Sequence, residues 1–333
     1  MAHDLREQMG LRKTGSATYS VGWHHDWTLG STLFGGSIAA VIHLVAVTHL
    51  STDPELAARN QPDVLNLHME FLRPCNRSDS IVTVKPLKLG AVTSSLQLLL
   101  SQREQVKIVA LITSTNFDTV LGPTGTTAWS LFPSPKPVPD FAKVAARQSE
   151  PNWLPAHLSG EIFPITRKLM ILNPRGGFPV DGVCDAWYGV RDDTDQMDAT
   201  YVSMMTDMIP SMSDTLLRNE GLYDAHAFFA KIERWAEEHP GVPAEIVNTL
   251  DQALQASVFN STVTLDIEFK RRVPEGLRWL FSRVAAKMLH EGRMDIEITL
   301  CNDNLELICS ARQLILVLEA GRKFKEPSSK PQL

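Results

Sequence analysis

Hydrophobic residues follow two different periods in the first part of the chain. After Gly35 and Gly36 comes a nearly continuous apolar stretch, SIAAVIHLVAVTHL, which predicts a helix buried on every side. Downstream, four segments are rich in β-branched residues and alternate with a period of two: VLNLHMEFL, IVTVKPLKL, TSSLQLLLSQ and QVKIVALITSTNF. This alternation predicts an antiparallel sheet. Before the helix, GSATYSVGWHHDW alternates loosely and predicts an edge strand.

The second part of the chain repeats this order. CDAWYGVRD predicts a strand, and DATYVSMMTDMIPSMSDTLL predicts an apolar helix that is kinked or interrupted at Pro210. The strand segments TVTLDIEFKRRV, LRWLFSRVAAKM, RMDIEITLC and LELICSARQLILVL follow. The match between HMEFLRP at 68–74 and LDIEFKRR at 265–272 indicates two copies of one domain, because a repeat of about 200 residues is too long for a solenoid.

The boundaries of the copies follow from composition. We predict a first domain at 1–118, a proline-rich linker at 119–150 and a second domain at 151–320. The polar tail at 321–333 is predicted to be disordered. Within the second domain, an insertion at 219–258 predicts two amphipathic helices, near 223–238 and 243–257.

Composition and charge exclude several classes of protein. The 333 residues are 44% hydrophobic and 21% charged, as in soluble globular proteins. The net charge of -6 argues against a nucleic-acid partner and against a polybasic membrane surface. Four cysteines are too few for a disulfide scaffold. The N-terminus lacks an apolar signal core, and the longest apolar run, Ile38 to Val47, is too short for a membrane span. We therefore expect a cytoplasmic protein with no membrane partner.

A buried central helix wrapped by a long antiparallel sheet is the hotdog architecture. LFGGSIAAVIHL followed by LHMEFLRP resembles the N-terminal half of the acyl-CoA thioesterase II family of double-hotdog enzymes. The resemblance implies an α+β fold with two tandem hotdog domains. It also implies an acyl-CoA or acyl-carrier thioester as substrate, no cofactor or metal, a homo-oligomer, and a place in lipid or polyketide metabolism. The matching helix start and strand end imply substrate-binding residues at Gly35, Gly36, Phe71 and Arg73.

The same resemblance assigns three catalytic residues. In this family an Asp on the second central helix, a Thr on the next strand and a Gln on the last strand act together on a water molecule. TYVSMMTDMIP places Asp207 at the Asp, the strand before EFKRR places Thr262 at the Thr, and LICSARQLILVL places Gln313 at the Gln.

Two of these residues also stand out without the resemblance. Asp207 lies among methionines, where a carboxylate is unfavourable unless it is hydrogen-bonded. Its structural interpretation is a buried acid that caps a backbone group. Gln313 is a lone amide on an otherwise apolar strand face, and its structural interpretation is a core residue bonded to backbone.

Thr262 is less distinctive. By strict alternation it shares a face with Thr264, Asp266 and Glu268, which predicts the polar side of the sheet. In the first copy Val64 takes the corresponding place, and the first helix contains no Asp or Glu. The chemistry is therefore expected in the second copy alone.

Histidines supply two further candidates that we interpret structurally. His24, His25 and Asp26 resemble a metal-binding cluster, but neighbours on a predicted strand point to opposite faces. His43, on the buried helix, is expected to be a core histidine with its hydrogen bonds satisfied. We expect no metal.

Three functional hypotheses remain. The leading one is hydrolysis of an acyl thioester, with Asp207 orienting or deprotonating water and a backbone N–H at a helix start stabilising the oxyanion. The second is a biosynthetic dehydratase, isomerase or cyclase on the same scaffold. The third is an acyl-binding module without turnover.

Overall fold

The computed structural model describes residues 8–192, 195–221 and 223–320 of the chain. The tail for which we predict disorder lies outside these residues. The strands are β1 (Arg12–Gly15), β2 (Thr18–Val21), β3 (Thr28–Leu29), β4 (Thr32–Leu33), β5 (Asp63–Phe71), β6 (Ser80–Leu89), β7 (Ser94–Gln102), β8 (Gln105–Thr115), β9 (Trp153–Gly160), β10 (Leu169–Pro174), β11 (Val183–Val190), β12 (Ala244–Asn248), β13 (Val258–Phe269), β14 (Trp279–His290), β15 (Arg293–Cys301) and β16 (Leu307–Glu319). The α-helices are α1 (Gly35–Thr52), α2 (Pro54–Ala57), α3 (Phe141–Ala145), α4 (Ala199–Met205), α5 (Met212–Leu217), α6 (Ala225–Glu238) and α7 (Leu250–Leu254).

One large sheet contains strands from both halves of the chain. Its order is β1-β2-β6-β7-β8-β5-β13-β16-β15-β14-β11-β10-β9-β12, so the halves join where β5 pairs antiparallel with β13. In that pairing His68 faces Asp266, and these are equivalent residues of the two copies. Equivalent residues can face each other only at a two-fold axis. The two halves are therefore related by an approximate two-fold axis that passes between these two strands.

Two central helices lie inside the curved sheet. By length and hydropathy α1 could cross a membrane, but 72% of it is buried inside the fold. Its counterpart α4 packs against it and ends shortly before Pro210, after which α5 begins. The interruption at Pro210 is as predicted, because proline removes an intrahelical hydrogen bond.

The segment that we predict as a linker also packs against the C-terminal sheet. It contributes the short helix α3, and its carbonyl groups at Pro133 and Pro137 accept hydrogen bonds from Arg283 and Trp153. Its apolar side chains pack on the outer face of the C-terminal sheet. The resulting second core contains Leu131, Phe141, Val144, Trp153, Trp187 and Phe281.

The insertion differs in part from its prediction. The first expected helix is present as α6, whereas the helix predicted over 243–257 is wrong. Residues Ala244–Asn248 form β12, which pairs parallel with β9, and only the five residues of α7 are helical. Burial alternates along β12 with a period of two, and pairing with β9 satisfies its backbone groups.

Candidate active site

The N-terminus of α1 lacks a cap from its own sequence. Phe34 occupies the N-cap position and has no side chain that can accept a hydrogen bond. The backbone N–H of Gly36 instead donates to the carboxylate of Asp207, which lies in the turn directly after α4. Asp207 therefore caps α1 from another element, where the positive end of the helix dipole favours its charge.

Glycine at positions 35 and 36 permits this contact. A Cβ atom at Gly35 would lie 2.6 Å from Asp207 Oδ2. A Cβ atom at Gly36 would lie 2.4 Å from the backbone oxygen of Met204, at the end of α4. The first glycine makes room for the carboxylate, and the second allows the two helices to approach closely.

Gln313 forms hydrogen bonds with the other two residues assigned by resemblance, Asp207 and Thr262. Its Nε2 donates to Asp207 Oδ1 over 2.8 Å and to the backbone oxygen of Thr206 over 3.1 Å. Its Oε1 accepts from Thr262 Oγ1 over 3.3 Å. Both amide hydrogens have oxygen partners, and this fixes the orientation of the amide group. The structure thus brings Asp207, Thr262 and Gln313 into one hydrogen-bonded chain.

A β-bulge places Thr262 on the inner face. In the pairing of β13 with β16, Thr262 faces Ile315 and Thr264 faces Leu314, so Val263 is an extra residue. An extra residue moves the preceding side chain to the opposite face of the sheet. The expectation that Thr262 shares the polar face with Thr264 is therefore wrong, because strict alternation is broken between them.

The carbonyl group of Thr206 is available to Gln313 for a local reason. In a continuous helix it would accept a hydrogen bond from the residue four positions later, which is Pro210. Proline has no N–H, so this acceptor is left for a side chain. Our sequence reasoning missed Thr206, although the spacing to Pro210 could have indicated it.

The environment of Asp207 sets its ionisation. Burial raises the pKa of its carboxyl group from 3.8 to about 6, while hydrogen bonds from Gln313 and Gly36 lower it in part. At neutral pH most molecules then carry the carboxylate, and the pKa lies within about one unit of neutrality. These are the properties of an effective general base.

The two other residues implied by the resemblance have different positions. The ring of Phe71 lies 3.7 Å from the position of a Cβ atom on Gly35, so it borders the site. Arg73 is exposed, and its Nη1 donates to the backbone oxygen of Val106 over 2.9 Å. Its guanidinium group is hydrogen-bonded at the start of β8 rather than to the triad. Substrate binding by Phe71 and Arg73 stays a prediction.

The histidine pair near the N-terminus does not lie on a strand. Residues His25–Trp27 form a 3-10 turn, and the ligand atoms of His24, His25 and Asp26 lie within 4.8 Å of one another. Our reason for rejecting a metal site, side chains on opposite faces, is therefore wrong. The Asp26 carboxylate instead accepts a hydrogen bond from Arg167, and Lys168 Nζ lies 3.8 Å away. Two cations already compensate its charge.

Comparison with known proteins places the chain in a family. A family model for the acyl-CoA thioesterase N-terminal domain matches residues 23–115, and one for the C-terminal domain matches residues 139–317. The chain belongs to the acyl-CoA thioesterase family. The C-terminal match contains all three members of the triad.

Relatives of this acyl-CoA thioesterase family member span nearly its whole length. It is 26% identical over 340 residues to the thioesterase-like protein TwmA of Talaromyces wortmannii, with 96% of this chain and 93% of that protein covered. Among solved structures, the acyl-CoA thioesterase II TesB2 of Mycobacterium marinum is 17% identical with a TM-score of 0.58, covering 99% of this chain and 100% of that chain.

A second structural relative carries the name of the fold. It is a conserved protein with a hot dog fold from Alicyclobacillus acidocaldarius, with 16% identity and a TM-score of 0.63, covering 95% of this chain and 98% of that chain. At such low identity the structural matches report on the fold alone. The predicted α+β double hotdog is confirmed.

Proposed function

We propose that this protein hydrolyses an acyl thioester, an acyl-CoA or a carrier-bound acyl chain, with Asp207, Thr262 and Gln313 acting together on water. The observation that carries the proposal is the 2.8 Å contact between Gln313 Nε2 and Asp207 Oδ1, with Thr262 bonded to the same amide. A half-buried carboxylate held by a strand amide and a helix start is better explained by catalysis than by packing alone.

Each residue has a separate role in the proposed reaction. The Asp207 carboxylate accepts a proton as water attacks the thioester carbonyl, and that proton then passes to the departing thiolate. A C–O bond forms, the C–S bond breaks, and the products are a carboxylic acid and a thiol. Thr262 donates its own hydrogen to Gln313, which leaves its oxygen free to accept a hydrogen bond from the water.

The start of α1 supplies the electrostatic part. The N-terminal backbone N–H groups of the helix and its dipole favour negative charge at this position. These N–H groups would stabilise the negative charge that develops on the carbonyl oxygen of the thioester. The N–H of Gly36 is bonded to Asp207, so it holds the base and is not assigned to the oxyanion.

A panel of acyl-CoA and acyl-carrier thioesters with detection of free thiol tests the function. We expect thiol release from wild type and a fall of about 10²-fold or more for Asp207→Asn. Asp214→Asn is the matched control, because Asp214 is a buried acid on α5 that bonds Asn219 outside the triad. Its turnover per folded molecule should stay close to that of wild type.

The outcomes separate the three hypotheses. Product formation without free thiol would support a dehydratase, isomerase or cyclase, and binding without turnover would support an acyl-binding module. Gln313→Ala and Thr262→Val should each lower turnover. Combined with Asp207→Asn they should add less than their separate effects, since residues that hold one water act as a unit.

A further inference from the structure

The approximate two-fold axis gives the candidate active site a counterpart elsewhere in the fold. Helices α1 and α4 pack against each other. Asp207 lies seven residues after Thr200, and His43 lies seven residues after Gly36. In a two-fold arrangement the contact between His43 and Thr200 is therefore equivalent to the contact between Asp207 and Gly36. In the first copy, His43 therefore occupies the position that corresponds to Asp207.

The strands confirm this correspondence. Leu265 pairs with Gln313 beside one site, and its equivalent Leu67 pairs with Ile112 beside the other. The register of β5 shifts between Val64 and Asn66, as that of β13 does between Thr262 and Thr264. The counterparts of Thr262 and Gln313 are accordingly Val64 and Ile112.

The counterpart site is buried. His43 and Val64 are each 3% exposed, and Thr200 and Ile112 are each 1% exposed. The ring of Phe269 lies against His43, with 5.6 Å between ring centroids. Apolar side chains thus stand where the Thr and the Gln of the triad would be, so the counterpart site lacks the triad's polar groups.

His43 contacts α4, the helix that directly precedes Asp207. His43 Nδ1 lies 3.0 Å from Thr200 Oγ1, in the first turn of α4. Only seven residues form α4, so a contact at its start constrains its end. At that end the backbone oxygen of Met204 lies against Gly36. Two contacts, one at each end of α4, therefore fix its position along α1.

We propose that His43 is a positioning residue: its hydrogen bond to Thr200 fixes α4 along α1 and so holds the Asp207 carboxylate against Gly36 and Gln313. The inference rests on the proposed function for its effect on turnover. It concerns the geometry of the contact between Asp207 and Gly36, which can be measured separately.

The chain offers a closely matched control on the same helix. His49 is 1% exposed, and its Nδ1 lies 3.0 Å from the hydroxyl of Tyr19 on β2. His43→Leu and His49→Leu thus each remove a buried histidine from α1, and the contact of His43 with Thr200 reaches α4 whereas that of His49 reaches β2. We expect His43→Leu to lower kcat about 10-fold or more with little change in KM, because a small displacement of a catalytic group is enough. His49→Leu should keep kcat per folded molecule.

Conservative variants keep the test informative if His43→Leu folds poorly. Thr200→Val removes the hydroxyl group with little change of shape and should lower kcat in the same way. His43→Asn places an amide nitrogen close to the position of Nδ1 and should recover most of the lost kcat. A loss that follows folded fraction alone, with no recovery by Asn, would overturn the inference.

A spectroscopic measurement separates this inference from the proposed function. The amide proton of Gly36 should be shifted by its charge-assisted bond to the Asp207 carboxylate. Its NMR signal should move in His43→Leu and Thr200→Val and stay in place in His49→Leu. Absence of thiol release from wild type would contradict the proposed function alone. An unmoved Gly36 signal in His43→Leu would contradict the positioning role whatever the activity.

Discussion

At the scale of single residues, the site depends on a carboxylate that is part of two structures at once. Asp207 caps the start of α1 through Gly36 and accepts a hydrogen bond from Gln313 on β16. The structural interpretation of a buried capping acid is therefore correct in its geometry. It is compatible with catalysis, because the same contacts hold the carboxylate in a fixed place while burial raises its pKa.

The two glycines at the start of α1 should respond differently to substitution. Gly35→Ala would place a methyl group 2.6 Å from Asp207 Oδ2, so the carboxylate must move and turnover should fall about 10-fold or more. Gly36→Ala would place it 2.4 Å from the backbone of Met204, which cannot move without separating the helices. It should cost about 1–3 kcal/mol of stability. Turnover should fall as well, because the contact between Met204 and Gly36 also fixes the end of α4 that leads to Asp207.

Thermal unfolding and single-turnover hydrolysis on the same samples would check this pair. Each variant serves as the control for the other, since the substitutions are chemically identical and adjacent. Equal losses of stability in both variants would contradict the separate roles given to the two positions.

The pKa of Asp207 gives a prediction for pH. A general base must be ionised, so kcat/KM should rise with pH, reach half of its plateau near pH 6 and level off about one pH unit higher. Stability has the opposite dependence. Because the folded-state pKa lies above the ordinary 3.8, the folded protein binds the proton more tightly, and the free energy of unfolding falls as pH rises from 3.8 to about 6.

The stability effect should be on the order of 1–3 kcal/mol and should disappear in Asp207→Asn. Denaturant unfolding of wild type and variant at several pH values measures it. The same pH slope in both proteins would show that Asp207 is not the group responsible.

At the scale of elements, a one-residue irregularity decides which side of the sheet Thr262 occupies. The bulge at Val263 places Thr262 on the same inner face as Gln313. The first copy has the equivalent irregularity at Leu65, beside Val64. The bulge is thus a feature of both copies, and only the residue next to it differs in chemistry.

Two single-residue deletions test this interpretation, because both remove the bulge and differ only in the residue left opposite Ile315. Removal of Val263 leaves Thr262 directly before Thr264, so Thr262 should stay on the inner face and keep its contact with Gln313. Removal of Thr262 instead puts Val263 opposite Ile315, and turnover should fall about 10-fold or more below that of the first deletion. Similar activities per folded molecule for the two deletions would contradict a role for the hydroxyl group at this position.

At the scale of the whole molecule, the two halves share one sheet and one hydrophobic core. The sheet is continuous across β5 and β13, and one hydrophobic cluster contains Leu67 and Leu98 from the first half with Met205 and Ile267 from the second. Arg272 also reaches across the join to Asp63 and Asp118. We therefore expect the halves to unfold together.

Leu98→Ala tests this cooperativity. Leu98 is fully buried on β7, far along the sheet from the C-terminal strands, and its truncation should cost about 2–5 kcal/mol. Calorimetry should show one transition that moves to lower temperature as a unit. Two transitions, of which only one moves, would indicate halves that unfold independently.

The sequence alone determines the elements whose signal is local. Continuous apolar residues specify α1, alternation specifies the strands, and proline at position 210 interrupts the second helix. Residue type and resemblance also single out Asp207 and Gln313. These features could be predicted because each depends on side-chain chemistry within a short stretch of chain.

Tertiary structure decides the features that depend on pairing between distant segments. Residues 244–248 become a strand because the edge of β9 is there to pair with them. Thr262 turns inward because β13 has one extra residue relative to β16. The hydropathy pattern of β13 alone does not show how this strand pairs with β16. The contact of Asp207 with Gly36, and its counterpart between His43 and Thr200, arise where α1 and α4 pack together. Residues so far apart in the chain become neighbours only through packing, and a pattern along one chain cannot encode which atoms then meet.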